Sequence, residues 1–255
     1  MRSLSTFVTM LLASPLLVSA GMYSKDSGVT MLDDKAFRAL MKEEKTSLVA
    51  FVAPWCGHCK NLTPEYSKAA KSLAPLVPFY AVDCDEQKNK QLCGEQGIKG
   101  FPTVKSFPRG GKGVPHDYQG ERKAKPIADW AGQEVPNKVE SVGKDTELTK
   151  WTTKSPSIPR LLLLNSQTKL PLLWRVLSNT FKDKAAFSVT RNKDKISSLV
   201  SSFNLSVEVG DKSKIVYWAP GETEPKVYEG TLKFDPLSKF IKGLVEGSAR
   251  TKEEL

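Results

Sequence analysis

The chain has 255 residues, 40% of them apolar and 26% charged, a balance that suits one large or two small globular domains and excludes both a disordered chain and a multi-span membrane protein. Its formal charge of +10 divides as +1 over residues 1–20, +3 over 21–136 and +6 over 137–255, so the basic excess is spread out. Lysines such as Lys182, Lys184, Lys193 and Lys195 read as a solvated face, and no nucleic-acid binding is inferred.

Arg2 precedes "LSTFVTMLLASPLLVSA", a stretch too short and too broken by Ser, Thr and Pro15 to span the ~30 Å of a bilayer core. It reads as a secretory signal peptide over residues 1–20, with the small residues Val18 and Ala20 at the cleavage site. The mature chain is then expected to begin at Gly21 and to carry no membrane span.

From Val29 the pattern runs helix "DDKAFRALMKEE", strand "SLVAFVA", a corner with two cysteines, helix "CKNLTPEYSKAAKSLA", strand "VPFYAVD", helix "EQKNKQLCGEQG" and strand "TVKSF". Strands alternating with helices predict a partly parallel α/β sheet. Beyond the linker Val135-Pro136-Asn137 a similar order returns: "RLLLLN", "LPLLWRVLSNTF", "AAFSVT", "DKISSLVSSFNL", "KIVYWA", "KVYEG" and "PLSKFIKGLVEG". Aligning "FPTVKSFPRGG" with "KSKIVYWAPGE" sets Phe107 over Trp218 and Pro102 over Ser213, and brings "YQG" at Tyr118 near "YEG" at Tyr228. The cysteine corner then falls on Asn165 to Lys169, which has no cysteine, so the second half reads as a diverged duplicate that has lost the chemistry.

The tail, residues 248–255, ends in "KEEL", close to the K-D-E-L retrieval signal with Glu253 in place of Asp. Leader and tail together predict residence in the endoplasmic reticulum lumen and a retrieval receptor as partner. That compartment is poised at about −180 to −210 mV, where disulfides form and exchange.

In "FVAPWCGHCKNLTPEY" the pair Cys56 and Cys59 opens a helix, where unpaired N–H groups and the helix dipole favour a negative sulfur. Cys56 is therefore expected to ionise readily and attack, with Cys59, one turn deeper, as the thiol that resolves the adduct. His58 between them would add an N–H donor or an imidazolium beside the Cys56 thiolate. A structural zinc site would need a second ligand pair at similarly short spacing, but Cys84 and Cys93 stand nine residues apart. No metal and no organic cofactor is expected.

The segments "APWCGHCK" and "GFPT" at Gly100 to Thr103, with the leader and "KEEL", resemble the protein disulfide isomerase family, in particular its small two-domain fungal-type members. The likeness is close over Gly28 to Pro136 and architectural after it. It implies an α/β protein of two thioredoxin-like domains, the first redox-active over residues 21–136 and the second redox-inactive over 137–247. It further implies that Cys56 is the nucleophile, Cys59 the resolving thiol, and Gly57 with His58 the intervening pair. Trp55, Phe101 and Pro102 would line the client site, Pro102 as the cis-proline facing the disulfide, with the edge at Phe101 pairing with client backbone. Arg122 in "YQGER" matches an arginine that approaches Cys59 and lowers its pKa. The implied partners are unfolded or misoxidised secretory proteins and an oxidase of the same compartment that reoxidises the site. A binding-class alternative, a chaperone-like protein working through apolar segments such as "RLLLLNSQTKLPLLW", stays open.

Two departures stand out. Relatives usually carry a buried glutamate and a partner lysine under the corner, and here those sites hold Ala50 and Ala81. Losing both together avoids an unpaired buried charge, and it implies slower proton transfer at Cys59. Cys84 closes a strand and Cys93 lies in the following helix, so a structural disulfide between them is expected over two buried thiols. The sequons Asn61-Leu62-Thr63 and Asn204-Leu205-Ser206 favour Asn204 as the glycan acceptor, because a glycan on Asn61 would crowd the corner.

Overall fold

The computed structural model describes residues 22–143, 145–191, 193–202, 205 and 213–253. The leader, Asn204 and the last two residues of "KEEL" lie outside them. The first half runs β1 (Val29–Leu32), α1 (Asp34–Met41), β2 (Ser47–Val52), α2 (Gly57–Leu73), β3 (Phe79–Asp83), α3 (Lys90–Glu95), β4 (Thr103–Gly111), β5 (His116–Asp117) and α4 (Ala124–Glu134). The second runs β6 (Glu140–Ser141), α5 (Asp145–Lys154), β7 (Arg160–Leu164), α6 (Leu172–Thr180), β8 (Ala186–Thr190), α7 (Lys193–Ser202), β9 (Lys214–Trp218), β10 (Lys226–Val227) and α8 (Phe234–Glu253).

Each half builds a five-stranded sheet, ordered β1-β3-β2-β4-β5 in the first and β6-β8-β7-β9-β10 in the second. In both, the first three strands of that order are parallel and the last two join antiparallel. The aligned registers coincide: Phe51 pairs with Thr103 as Leu164 pairs with Lys214. This places Ser213 where the first copy has Pro102. The duplicate extends to the turn before the last helix of each half. Tyr118 N–H donates to Val104 at 2.8 Å and Tyr228 N–H to Ile215 at 2.9 Å.

Burial explains the continuous apolar runs. All six residues of β2 are buried because helices cover both sheet faces, and so are Arg160 to Leu164 of β7. Leu48, Ala50, Val52, Cys59, Leu62 and Tyr66 share one core, while Phe37, Val49, Phe51, Cys84, Cys93 and Phe107 share the opposite one. The apolar segments "RLLLL" and "LLW" supply the core of the second half, with Leu161, Leu163, Trp174 and Leu177 buried together. They do not form an exposed binding surface.

The halves meet where α6 packs against the end of α4. Leu172 and Val176 lie on the first core, the Arg175 guanidinium donates to the Gln133 carbonyl at 3.0 Å, and the Asn179 amide donates to the Pro136 carbonyl at 2.6 Å. The apolar pattern predicts no helix over "AKPIADWAGQE" or "DTELTKWTTK" and no strand at β1, β5 or β6, yet the structure has all five. These elements are short, or bury little of one face, as in α4, where only Ile127 and Ala131 are fully covered. The last helix runs to Glu253, six residues past the "PLSKFIKGLVEG" segment.

Candidate redox site

The corner after β2 ends in Cys56, which is the N-cap of α2, with extended backbone at φ −79° and ψ 117°. Cys56 N–H donates to the Ala53 carbonyl at 3.1 Å, and the Cys56 carbonyl accepts from Cys59 and Lys60 N–H at 3.1 and 3.2 Å. Helical hydrogen bonding thus starts one turn earlier than the segment "CKNLTPEYSKAAKSLA" suggests, and Gly57 is the first helical residue. The two thiols are free and differently placed: Cys56 is half-buried, whereas Cys59 is fully buried among Leu62, Tyr66 and Val52.

Their acidities diverge accordingly. The Cys59 backbone N–H holds the Cys56 thiol below its usual range, helped by the Cys59 side chain, the His58 backbone N–H and the Arg122 charge, against a smaller cost of burial. Burial pushes the Cys59 thiol up to about 11, with the neighbouring Cys56 sulfur adding to the rise and Arg122 opposing it. His58 acts here through its backbone N–H. Its ring is exposed, beside Arg122 and Asn61.

Trp55 is 66% exposed and meets Phe101 edge to face, with centroids 5.9 Å apart. Phe101–Pro102 is a cis peptide, and the Phe101 carbonyl accepts from the Cys56 thiol at 3.5 Å. A Cβ built at Gly57 would meet nothing within 4 Å, so this exposed corner is open to an incoming chain. Arg122 is exposed, and its Nη2 donates to the Pro102 carbonyl at 3.4 Å, so it reaches the sulfurs by charge and not by contact. Trp55, Cys56, Gly57, His58, Cys59, Phe101, Pro102 and Arg122 thus gather at one end of the first sheet.

Ala50 and Ala81 are direct neighbours on β2 and β3, both fully buried and packed in the same core as Cys59. No ionisable side chain occupies these two positions beneath the buried thiol. Cys84 and Cys93 are joined by a disulfide on the opposite face, with Cα atoms 5.9 Å apart. Glu65, which the motif "FVAPWCGHCKNLTPEY" gives no evident role, accepts the Ala124 N–H at 2.8 Å. Its partner sits on α4, a helix the sequence patterns did not mark. Among the described residues no three His, Cys, Asp or Glu side chains cluster as metal ligands, and no helix is long and apolar enough to cross a membrane.

Residues 28–133 match the thioredoxin family. The chain is 30% identical over 94% of its length to a mitochondrial thioredoxin domain-containing protein of Schizosaccharomyces pombe, spanning 67% of that protein. It is 29% identical over 86% of its length to a protein disulfide-isomerase of Saccharomyces cerevisiae. It spans from 32% to 79% of the length of the relatives matched over more than half of its own. Among solved structures, ERdj5 superposes with a TM-score of 0.66 at 21% identity, covering 87% of this chain and 30% of ERdj5, a likeness of fold. Its relatives include proteins named protein disulfide-isomerase, and with a thioredoxin-like sheet in each half and an N-capping Cys56 beside a buried Cys59, the chain belongs to the thioredoxin family of thiol–disulfide exchange proteins.

Proposed function

We propose that the chain forms and rearranges disulfides in secretory proteins within the endoplasmic reticulum lumen, through the Cys56–Cys59 dithiol of a catalytic unit over residues 21–136 and with a companion unit over 137–247. The acidity split between an accessible Cys56 and a buried Cys59 carries this reading. In isomerisation the Cys56 thiolate attacks a client disulfide, forming a mixed disulfide and expelling the other client sulfur as a thiolate. That thiolate can attack elsewhere in the client until Cys56 is displaced, with no net change in electrons. Alternatively Cys59, once deprotonated, attacks the Cys56 sulfur, closing the Cys56–Cys59 disulfide and releasing a client dithiol two electrons richer. In the oxidising direction a client thiolate opens the Cys56–Cys59 disulfide, and a second client thiolate then displaces Cys56. An oxidase of the compartment accepts the two electrons and restores the active disulfide. The exchange itself calls for no metal or organic cofactor.

Pairing of a client's backbone with the exposed edge at Phe101, beside Trp55, fits a site that tolerates many sequences. The test is refolding of a scrambled disulfide protein. Cys56→Ser/Cys59→Ser should reduce the rate to that of the buffer alone, while any suppression of aggregation persists. Full refolding by this variant would favour the chaperone-like reading.

The lumenal assignment rests on the apolar leader with its single Arg2 and on "KEEL", whose reader would be a retrieval receptor. Deleting Lys252 to Leu255 should send the protein into the medium. Retention of the truncated protein, or its recovery in mitochondria, would overturn the assignment.

A further inference from the structure

Arg122 has a long, exposed side chain on the loop before α4, yet its charge bears on both sulfurs. Two groups hold that loop. Tyr118 O–H donates to the Glu121 carbonyl at 2.7 Å, and its ring lies against Gly120, where an added Cβ would come within 2.6 Å of the hydroxyl. Glu65, on the helix that Cys56 caps and that contains Cys59, accepts the N–H of Ala124, the first residue of α4. The N-cap Lys123 supplies no side-chain cap, so a carboxylate from a different helix takes that place.

The second half provides an internal control. Its loop repeats the same bonds: Lys123 and Lys233 N–H donate two residues back at 2.8 and 2.9 Å, and Ile127 and Leu237 N–H donate to Lys123 and Lys233 at 3.1 and 3.2 Å. Tyr228 likewise lies against Gly230. The arginine position there holds Leu232, and α6 contains no carboxylate at all. The loop therefore folds without a carboxylate from the facing helix. What Glu65 adds belongs to the copy that has the thiols, where it ties the loop to α2.

We propose that Glu65 is a positioning residue for the release step: by fixing the start of α4 to α2, it keeps the Arg122 guanidinium beside Pro102 and within range of Cys56 and Cys59. The proposal rests on Cys56 and Cys59 being the exchanging pair. In that step Cys59 loses its proton, attacks the Cys56 sulfur of the mixed disulfide, and the client sulfur leaves as a thiolate. A positive charge held nearby favours the Cys59 thiolate, and a loose loop spends less time supplying it.

Rapid mixing of the reduced protein with a disulfide-linked model peptide, followed by acid quench and mass measurement, gives capture and release separately. Glu65→Ala and Glu65→Asp should slow release about 3- to 10-fold, the scale of one positioned charge acting on a thiol. Their pH–rate profiles should move to higher pH, and so should that of Arg122→Ala. Glu65→Gln, whose amide oxygen still accepts the Ala124 N–H, should stay near the parent. Glu65→Ala/Arg122→Ala should be no slower than Arg122→Ala alone. Parent-like release in the Ala and Asp variants, an unmoved pH profile, or losses that multiply in the double variant would each overturn the proposal. If Glu65→Ala does not fold, the Asp and Gln variants decide it by the same readouts. A parent protein that forms no adduct on Cys56 would overturn the exchange reading itself, before any Glu65 variant is compared.

Discussion

Replacing Cys59 with serine should trap client proteins on Cys56. The accessible sulfur is the more acidic of the pair because helix N–H groups converge on it, so capture survives the change. Release does not, because the only thiol within reach of the adduct from behind has gone. In the parent protein the same asymmetry makes release the pH-sensitive step. In the reduced protein burial pushes the Cys59 thiol up to about 11, and that burial persists when Cys56 is tied to a client, so Cys59 is mostly protonated at neutral pH. Release should therefore quicken by up to about tenfold per pH unit above neutrality, whereas capture levels off at lower pH. Acid-quenched samples run without reductant read both quantities. Adducts no more abundant in Cys59→Ser than in the parent, or release indifferent to pH, would count against the roles assigned here.

The vacancy at Ala50 and Ala81 belongs to the same measurement. Both face the core that holds Cys59, so the proton of that thiol has no ionisable acceptor at these positions. Installing Glu at 50 and Lys at 81 together, so that neither charge is buried alone, should speed release by roughly tenfold if proton transfer limits it. No gain in a variant that still folds would show that Arg122 and water already suffice.

The second large effect concerns stability. Changing Cys84 and Cys93 together to serine removes a cross-link between residues nine apart, which restricts the unfolded chain by roughly 2–3 kcal/mol. For a unit of about 100 residues this corresponds to a Tm lower by roughly 10–20 °C. Both cysteines are less than a tenth exposed and pack with Phe37, Phe51 and Leu92, so each serine also buries a hydroxyl where a sulfur packed. Exchange at 25 °C should stay close to the parent rate, because this core lies on the opposite sheet face from Cys59. Calorimetry checks the first expectation and the peptide assay the second. An unchanged Tm would show that the loop gains nothing from closure.

The parts of the site that are local in the chain could be read from residue order. "APWCGHCK" puts one cysteine at a helix start and a second a turn further on, and backbone hydrogen bonding of that turn follows from spacing alone. The repeated order of strands and helices was legible because buried parallel strands leave continuous apolar runs such as "LVAFV" and "RLLLL". Helix α4 was not, since Pro126 falls in its first turn and only Ile127 and Ala131 are fully buried, too thin a pattern to mark 11 residues.

Sequence by itself determined which groups can react, that one copy has them, and that the other lacks them. Tertiary structure decided how they differ and what surrounds them. Cys59 is held protonated by the core that β2 and α2 close around it, a cost of burial that no neighbour in sequence imposes. Arg122 meets Pro102 twenty residues away, and Glu65 meets Ala124 fifty-nine away, only because antiparallel and crossover connections return the chain to one end of the sheet. Desolvation and charge act through distance in space, and distance along the chain does not encode it.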